Sequence, residues 1–313
     1  MKHEMRLICF ITLAGMLIHS CFAQELSQRA YLITPVHSNA VIESWSFYDG
    51  NIDYNGALPI NEGQGTYNLS ILSYYHSLGL FGRSANVVAS LPYAVGNFQG
   101  ILASDEQHLY RSGLADSVFR FAVNLKGGPA MPVQQFVKWK QKVLLGASLK
   151  VVAPTGQYDP TKLVNWGGNR WAFKPDFGYS QSWGKWVLDA SAGMWIFTTN
   201  KDFWSRNVYY AGTRSQTQKP IGAWEGHLSY DVKRGLWASL DGNLWVGGKT
   251  TVQGIENPLT RQLNSRLGGT LSVPIAKHQS MKFSYSGGAY TRFGGDYQNV
   301  SVAWQYSWLG RPN

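Results

Sequence analysis

The chain has 313 residues, of which 15% are charged and 14% aromatic, with 34 glycines and a formal net charge of +10. The mean hydropathy is slightly negative, at -0.21, and beyond the N-terminus no apolar run reaches the roughly 18 residues of a membrane helix. These values exclude a helical membrane protein. Because the basic residues form no Lys/Arg run, we interpret the charge as a surface balance and expect no nucleic-acid partner.

The N-terminus has the layout of a secretory signal peptide. Two basic residues precede a mainly apolar stretch at 7–18, and small residues end at Ala23, so residues 1–23 are expected to be removed. The two cysteines, Cys9 and Cys21, both lie before this position, and Cys21 leaves lipidation open as an alternative. We therefore expect an exported mature protein without disulfide bonds.

The mature sequence alternates between apolar and small or polar residues in many short segments. In VSVAWQYSW, residues 300–308, bulky apolar side chains occupy the even positions, which is the period of a β-strand. The segment SVFRFAVNLK, residues 117–126, repeats the pattern. About twelve such segments over residues 40–313 predict an all-β fold: a transmembrane, antiparallel, up-and-down β-barrel with its apolar face toward lipid and its polar face toward the lumen.

The connections between these segments alternate in length. Barrels of the bacterial outer membrane have short periplasmic turns and long extracellular loops, so the alternation predicts that location. Outer-membrane lipid and the barrel assembly machinery are the expected partners, the latter through Tyr306 and Trp308 near the C-terminus. Short turns are predicted at 78–83, 183–186, 233–236 and 276–280, and long loops at 49–65, 96–112, 155–169, 199–219 and 247–263.

Two segments fall outside this pattern. Residues 24–39 lack alternation, and we predict either a periplasmic lead or a plug that enters the lumen. The connection at 127–140 is longer than the other periplasmic turns, and the apolar spacing after Pro132 predicts a short amphipathic helix.

Charged side chains occupy many predicted inward positions. Such charges are tolerated only if they are wet or paired, so either a water-filled path or a salt-bridged network is expected. About twelve strands predict a restricted passage and not a wide pore. The candidate lumen residues are Glu43, Asp116, Arg120, Lys126, Lys142, Lys150, Lys174, Asp176, Asp189, Glu225, His227, Asp231, Asp241, Arg266, Lys282 and Arg292.

Three prolines lie within alternating segments: Pro92, Pro175 and Pro274. Proline cannot donate to a strand ladder, and a closed barrel has no edge strand, so each should mark a bulge, a kink or a strand end. Two interpretations remain for Pro92 and Pro175. Each is a harmless bulge near the rim, or one of them bends its strand enough to open the wall sideways for an apolar molecule.

A family resemblance rests on the stretch that begins at Val151. The block APTGQYDP, then NWGGNRW, then KPDFGY and an aromatic strand ending at Thr199 and Asn200 resembles the outer-membrane transporter family named for the MetA pathway of phenol degradation. The resemblance is strong over residues 142–200 and looser elsewhere. It implies a monomeric β-barrel like the channels for fatty acids and aromatic hydrocarbons, with a small-molecule substrate.

Within this stretch the sequence predicts a strand, an external loop and a returning strand. Proline and glycine stop the first strand, and the asparagines and glycines at 165–169 suit backbone positions with positive φ. Two roles remain for the polar residues here: they cap strand ends, or they hold the loop folded inward as a constriction. The candidate loop residues are Asp159, Asn165, Asn169 and Arg170.

The sequence favours passive passage of small, apolar or aromatic compounds over two alternatives. No nucleotide motif, phosphate loop or metal-ligand cluster is present, so no cofactor is expected. A barrel enzyme acting on lipid or peptide would need a histidine with a nucleophile or an acid, and only His227 near Glu225 offers such a pair. We therefore predict no catalytic residues. The other alternative is a structural or adhesive barrel whose loops carry the function.

Overall fold

The computed structural model describes residues 28–53, 60–102, 105–207 and 210–310. The strands in chain order are β1 Ser38–Asp53, β2 Ile60–Leu80, β3 Arg83–Leu102, β4 Asp105–Leu114, β5 Ser117–Lys126, β6 Val143–Ala153, β7 Ala172–Trp183, β8 Trp186–Phe197, β9 Gln216–Gln218, β10 Ile221–Lys233, β11 Leu236–Gly247, β12 Thr250–Val252, β13 Ile255–Asn257, β14 Gln262–Ala276, β15 Gln279–Thr291 and β16 Gly294–Leu309. The predicted helix, α1, spans Val133–Phe136. In the described part of the chain, no helix has the length and apolar character needed to cross a bilayer.

The long strands form a closed antiparallel β-barrel. β1 pairs with β2 on one side and with β16 on the other, in an unbroken register from Ser38↔Leu309 to Asp53↔Gly294. The barrel has twelve strands when β4 and β5, which both pair with β3, are counted as one interrupted strand. This confirms the predicted fold class and strand number. β9, β12 and β13 form a separate small sheet.

The even positions of β16 face outward, as the alternation predicted. Val300 is 46% exposed, Trp304 37% and Tyr306 39%. Trp304, Tyr306 and Trp308 stack in sequence along this face, as expected of an aromatic girdle at a membrane interface. The prediction that Glu43 faces inward is wrong, because Glu43 is paired with Trp304 and lies on the same outward face.

Two of the predicted long loops are largely strand. In the β1–β2 hairpin, strand pairing continues past the Asp49↔Thr66 pair toward the tip. In the β3–β4 hairpin, it continues past the Gly96↔Arg111 pair in the same way. These hairpins carry polar residues on both faces, so the apolar alternation that marks a membrane strand stops while the backbone ladder continues. The wall is consequently taller on this side. Long outer connections without barrel strands remain at 154–171, 198–220 and 248–261.

Each of the three prolines coincides with an irregularity in the ladder. Pro92 pairs with Ile71 on β2, but on its other side it faces the interruption between β4 and β5. Pro175 pairs with Leu149 on β6, while the pairing toward β8 lapses for two residues without a change of register. Pro274 lies at a bulge beside the β14–β15 turn. The strand pairing keeps its register at Pro175, so the wall does not open there. Of the two positions considered for a sideways opening, the interruption opposite Pro92 is the one that remains.

Candidate functional site

The described part of the N-terminal segment enters the barrel. Arg29 Nη2 lies 2.8 Å from Asp231 Oδ1 on β10, and the Tyr31 hydroxyl donates to Asp176 Oδ1 on β7 at 2.5 Å. These contacts fix the segment to one side of the wall. The described residues 28–37 therefore lie against the inner wall, and we refer to them as the plug; the predicted signal peptide and residues 24–27 lie outside the described residues.

A pair of glycines makes room for Tyr31. Gly146 on β6 and Gly178 on β7 are paired in register. A Cβ atom at Gly178 would lie 2.0 Å from the Tyr31 ring, and one at Gly146 would lie 2.3 Å from it. The two glycines thus form a slot in the wall that a larger residue would close. The sequence analysis missed Tyr31, and inward glycines on neighbouring strands were the available signal.

The wall beside Tyr31 carries a buried ionic network. Lys174 Nζ lies 2.7 Å from Glu225 Oε1 and 3.3 Å from Asp176 Oδ2. His227 Nδ1 lies 2.9 Å from Asp241 Oδ1. Each of these five predicted side chains faces the lumen and is at most 10% exposed. The structure therefore brings them together as a paired network and not as a row of separately hydrated charges.

Three cations lie in one row across β5, β6 and β7. Arg120 is paired in register with Lys150, and Lys150 with Lys174. Lys174 is bound by the two carboxylates described above, whereas the Arg120 guanidinium lies 3.4 Å from Asn86 Oδ1 and over the Tyr31 ring, 5.2 Å from its centroid. The two carboxylates thus lie at the Lys174 end of the row, whereas Asn86 and the Tyr31 ring lie at the Arg120 end.

Three further predicted residues also face inward. Arg266 is fully buried, and its Nε donates to Ser286 Oγ at 2.9 Å. Asp189 is buried and paired in register with His227 across β8 and β10. Lys282 on β15 lies 3.5 Å from the side-chain oxygen of Gln28 in the plug.

The prediction for Arg292 needs correction, because this residue lies in the turn between β15 and β16 and not in a strand. Lys142 likewise precedes β6, and Lys126 follows a bulge in β5 and is exposed. In all three cases the alternation was extended past the regular part of the strand. Where both faces of a strand are in water, polar residues occupy both, so a period-two pattern does not show where the strand ends.

Aromatic side chains fill the outer end of the barrel. Tyr67 packs edge-on against Tyr297 with ring centroids 5.3 Å apart, and Trp166 lies 5.7 Å from Tyr67 and 5.9 Å from Phe98. Trp166 is only 6% exposed. The loop at 154–171 therefore folds inward and inserts this indole between the strands. These inward aromatics were not predicted, because the strand alternation was taken to place apolar side chains on the lipid face.

The four candidate loop residues organise this inward fold locally. The Asn165 side chain accepts from the Asp159 amide at 2.8 Å and donates to the Asp159 and Lys162 carbonyls at 3.0 Å each. The hydrogen bond from Thr161, together with Lys162, lowers the pKa of Asp159. Asn169, at a φ of 50°, donates to Asn200 at 2.9 Å.

Arg170 anchors the same loop to its neighbour. Its Nη2 donates to Gln218 Oε1 at 2.5 Å, and the guanidinium lies over the Phe197 ring, 4.4 Å from the centroid. Burial lowers the pKa of Arg170 to about 10, so the group remains charged near neutral pH. The loop is thus tied to the connection at 198–220 as well as to the barrel wall.

Asp116 seals the interruption between β4 and β5. Its carboxylate accepts the Gly156 amide at 2.9 Å and the Gly168 amide at 2.7 Å, both from the inward loop. The Ala115 amide bridges to the Pro92 carbonyl at 3.0 Å. Asp116, predicted to line the lumen, therefore holds the loop against the wall. Where the strand ladder lapses opposite Pro92, Ala115 bonds to Pro92 and the loop backbone bonds to the neighbouring Leu114 and Asp116.

Among the described residues, two cavities adjoin the plug. A small one of about 30 Å³ lies among Tyr31, Arg120 and the ionic network. A second one of about 880 Å³ lies between the plug and the walls formed by β1, β2, β3 and β5 and reaches the periplasmic end at Leu309. Arg120 and Lys150 border both cavities and so separate them.

The sequence matches one protein family over most of its length. Residues 49–302 match the family described as "Putative MetA-pathway of phenol degradation". The chain belongs to this family. This confirms the resemblance read from residues 142–200.

Solved structures share the fold. An outer membrane channel from Pseudomonas putida F1 is 17% identical, with a TM-score of 0.73 over 91% of this chain and 100% of that chain. The β domain of the Bordetella autotransporter BrkA is 11% identical, with a TM-score of 0.51 over 87% of this chain and 100% of that chain. No curated protein matches the sequence. The chain therefore shares the β-barrel fold of these two solved proteins.

Proposed function

We propose that the protein is an outer-membrane channel for passive passage of small, apolar or aromatic compounds. The observation that carries this proposal is the incompletely filled lumen: beside the plug, a cavity of about 880 Å³ is bordered by Leu32, Ile42, Val88 and Val118. Binding cavities for small molecules are mostly apolar with a few polar groups. A barrel that served only as a rigid support would have no use for such a space.

The family and a solved structure with the same fold support the same function. The family description refers to phenol degradation, and the Pseudomonas putida F1 structure is described as an outer membrane channel. Entry into a phenol-degrading pathway requires aromatic molecules to pass the outer membrane. A channel selective for such molecules fits the position and the shape of this barrel.

The ionic network gives no support to the enzyme alternative. A hydrolytic serine would have to bond to the histidine that activates it. Here Ser239 donates to Asp241 at 2.8 Å, on the carboxylate that also holds His227. These groups are buried in the wall beside the plug, where a lipid or a peptide chain has no access.

Uptake by cells tests the proposal. Cells that lack their own channel for aromatic compounds would express the full chain and receive micromolar radiolabelled phenol or toluene. We expect uptake several-fold faster than in cells with an unrelated barrel at the same surface level. Equal uptake at equal levels would refute a transport role for these compounds.

A further inference from the structure

The polar plug divides the lumen into two chemically different halves. Gln28, Arg29 and Tyr31 all point to one wall, where they bond to Asp241, Asp231 and Asp176. Three carboxylates of the lumen are therefore hydrogen-bonded to the plug. The space that stays open lies on the other side of the plug.

The lining of this open cavity contains cations but, among the residues that the structure describes, no aspartate or glutamate. Arg120, Lys150 and Lys282 reach it from β5, β6 and β15, and Arg29 borders it with its charge bound to Asp231. Arg120 and Lys150 lie directly opposite each other, and like charges in this position repel. An anion between them would remove that repulsion.

Apolar side chains lie immediately beside Arg120. Val88 is its register partner on β3, and Val118 is two residues along the same face of β5. Ile42 lines the same cavity from β1. A molecule whose charged end met the guanidinium would thus place its next atoms against branched aliphatic side chains.

We propose that this cavity binds small organic anions with an apolar body, in the chemical class of aromatic and aliphatic carboxylates. The carboxylate lies at Arg120, and the ring or alkyl chain lies on Val88, Val118 and Ile42. Arginine suits this role, because its planar donors match the two oxygens of a carboxylate. The inference rests on the proposed channel function and narrows its substrate class.

Equilibrium dialysis of the full mature chain, refolded in detergent, tests this assignment. The probes are radiolabelled benzoate and benzyl alcohol, which share the ring and differ in charge. The wild type should bind benzoate at least about tenfold more tightly, as expected for a charge-assisted hydrogen bond. Arg120→Gln should lose about tenfold in benzoate affinity with little change for benzyl alcohol, and Arg120→Lys should lose less.

Arg261→Gln is the matched control, because it removes the same charge from an exposed outer position. It should leave both affinities unchanged. Equal binding of the two probes by the wild type would overturn the proposal, as would an equal loss of both in Arg120→Gln. The probe comparison needs only the wild type, so it decides even if Arg120→Gln fails to fold.

The outcome is separable from that of the channel proposal. If the protein binds benzoate but the cells take up no neutral aromatics, neutral aromatics are not substrates of the channel, and the anion-binding site stands. Uptake of neutral aromatics without preferential benzoate binding would keep the channel and remove the anion site.

Discussion

The hydroxyl of Tyr31 donates a 2.5 Å hydrogen bond to Asp176, joining the plug to the barrel wall across 145 residues of sequence. Asp176 also lies 3.3 Å from Lys174, so this single bond connects the plug to the buried ionic network. The position of the plug therefore depends on side chains that belong to the lumen itself.

Tyr31→Phe should weaken the plug while keeping the ring in its slot. A hydrogen bond to a carboxylate contributes about 1.5–3 kcal/mol, so open events in planar-bilayer recordings should become about tenfold more frequent. Tyr230→Phe, which changes an exposed tyrosine on the outer face, should not alter them. An unchanged event frequency in Tyr31→Phe would mean that this bond does not hold the plug.

Arg29 and Asp231 should behave as a pair. Arg29→Ala and Asp231→Ala each remove the 2.8 Å ion pair, so each should increase the frequency of open events. The double variant should exceed the larger single effect only slightly, since the second change removes a partner that is already lost. Fully additive effects in the same recordings would contradict direct coupling.

Gly178→Ala should displace the plug by overlap. The new Cβ would lie 2.0 Å from the Tyr31 ring, and overpacking of this kind costs about 1–3 kcal/mol. Gly226→Ala is the matched control, because nothing lies within 4 Å of a Cβ at that strand position. We expect higher basal conductance for the first variant and wild-type conductance for the second. A normal conductance in Gly178→Ala would show that the slot tolerates a methyl group.

Asp116→Asn should loosen the loop at 154–171. The substitution replaces one acceptor of the Gly156 and Gly168 amides by a donor, at a cost of about 1–3 kcal/mol. Limited proteolysis of the refolded protein should cut within this loop faster than in the wild type. Asp296→Asn, at an exposed position of β16, should be cut at the wild-type rate. Equal cleavage in both variants would mean that other contacts hold the loop.

The sequence predicted those features that the bilayer imposes. Lipid requires an apolar outer face, so the alternation in residues 300–308 and the strand number could be read directly. Beyond the membrane this requirement ends. The outer parts of the β1–β2 and β3–β4 hairpins were therefore predicted to be loops, although they are strands. Conversely, Arg292 was predicted to lie in a strand, although it lies in a turn.

The interior was harder to predict because its contacts join distant parts of the chain. Nothing local to Tyr31 indicates that Gly146 and Gly178 will align across two strands to receive it. The inward position of Trp166 likewise depends on Asp116, which is far from it in sequence. The alternation of odd and even positions along each strand placed the charged residues on the inner face. It could not show which of them form ion pairs and which border open space.

β1 begins at Ser38, directly after the plug, and is also the strand that closes the barrel against β16. The plug is consequently joined directly to the seam strand at its C-terminal end. The aromatic closure around Trp166 lies at the opposite end of the barrel, where Ile52 of β1 and Tyr297 of β16 pack into it. The plug and the aromatic closure therefore meet the same pair of strands at opposite ends, so a disturbance of the β1–β16 seam would reach both.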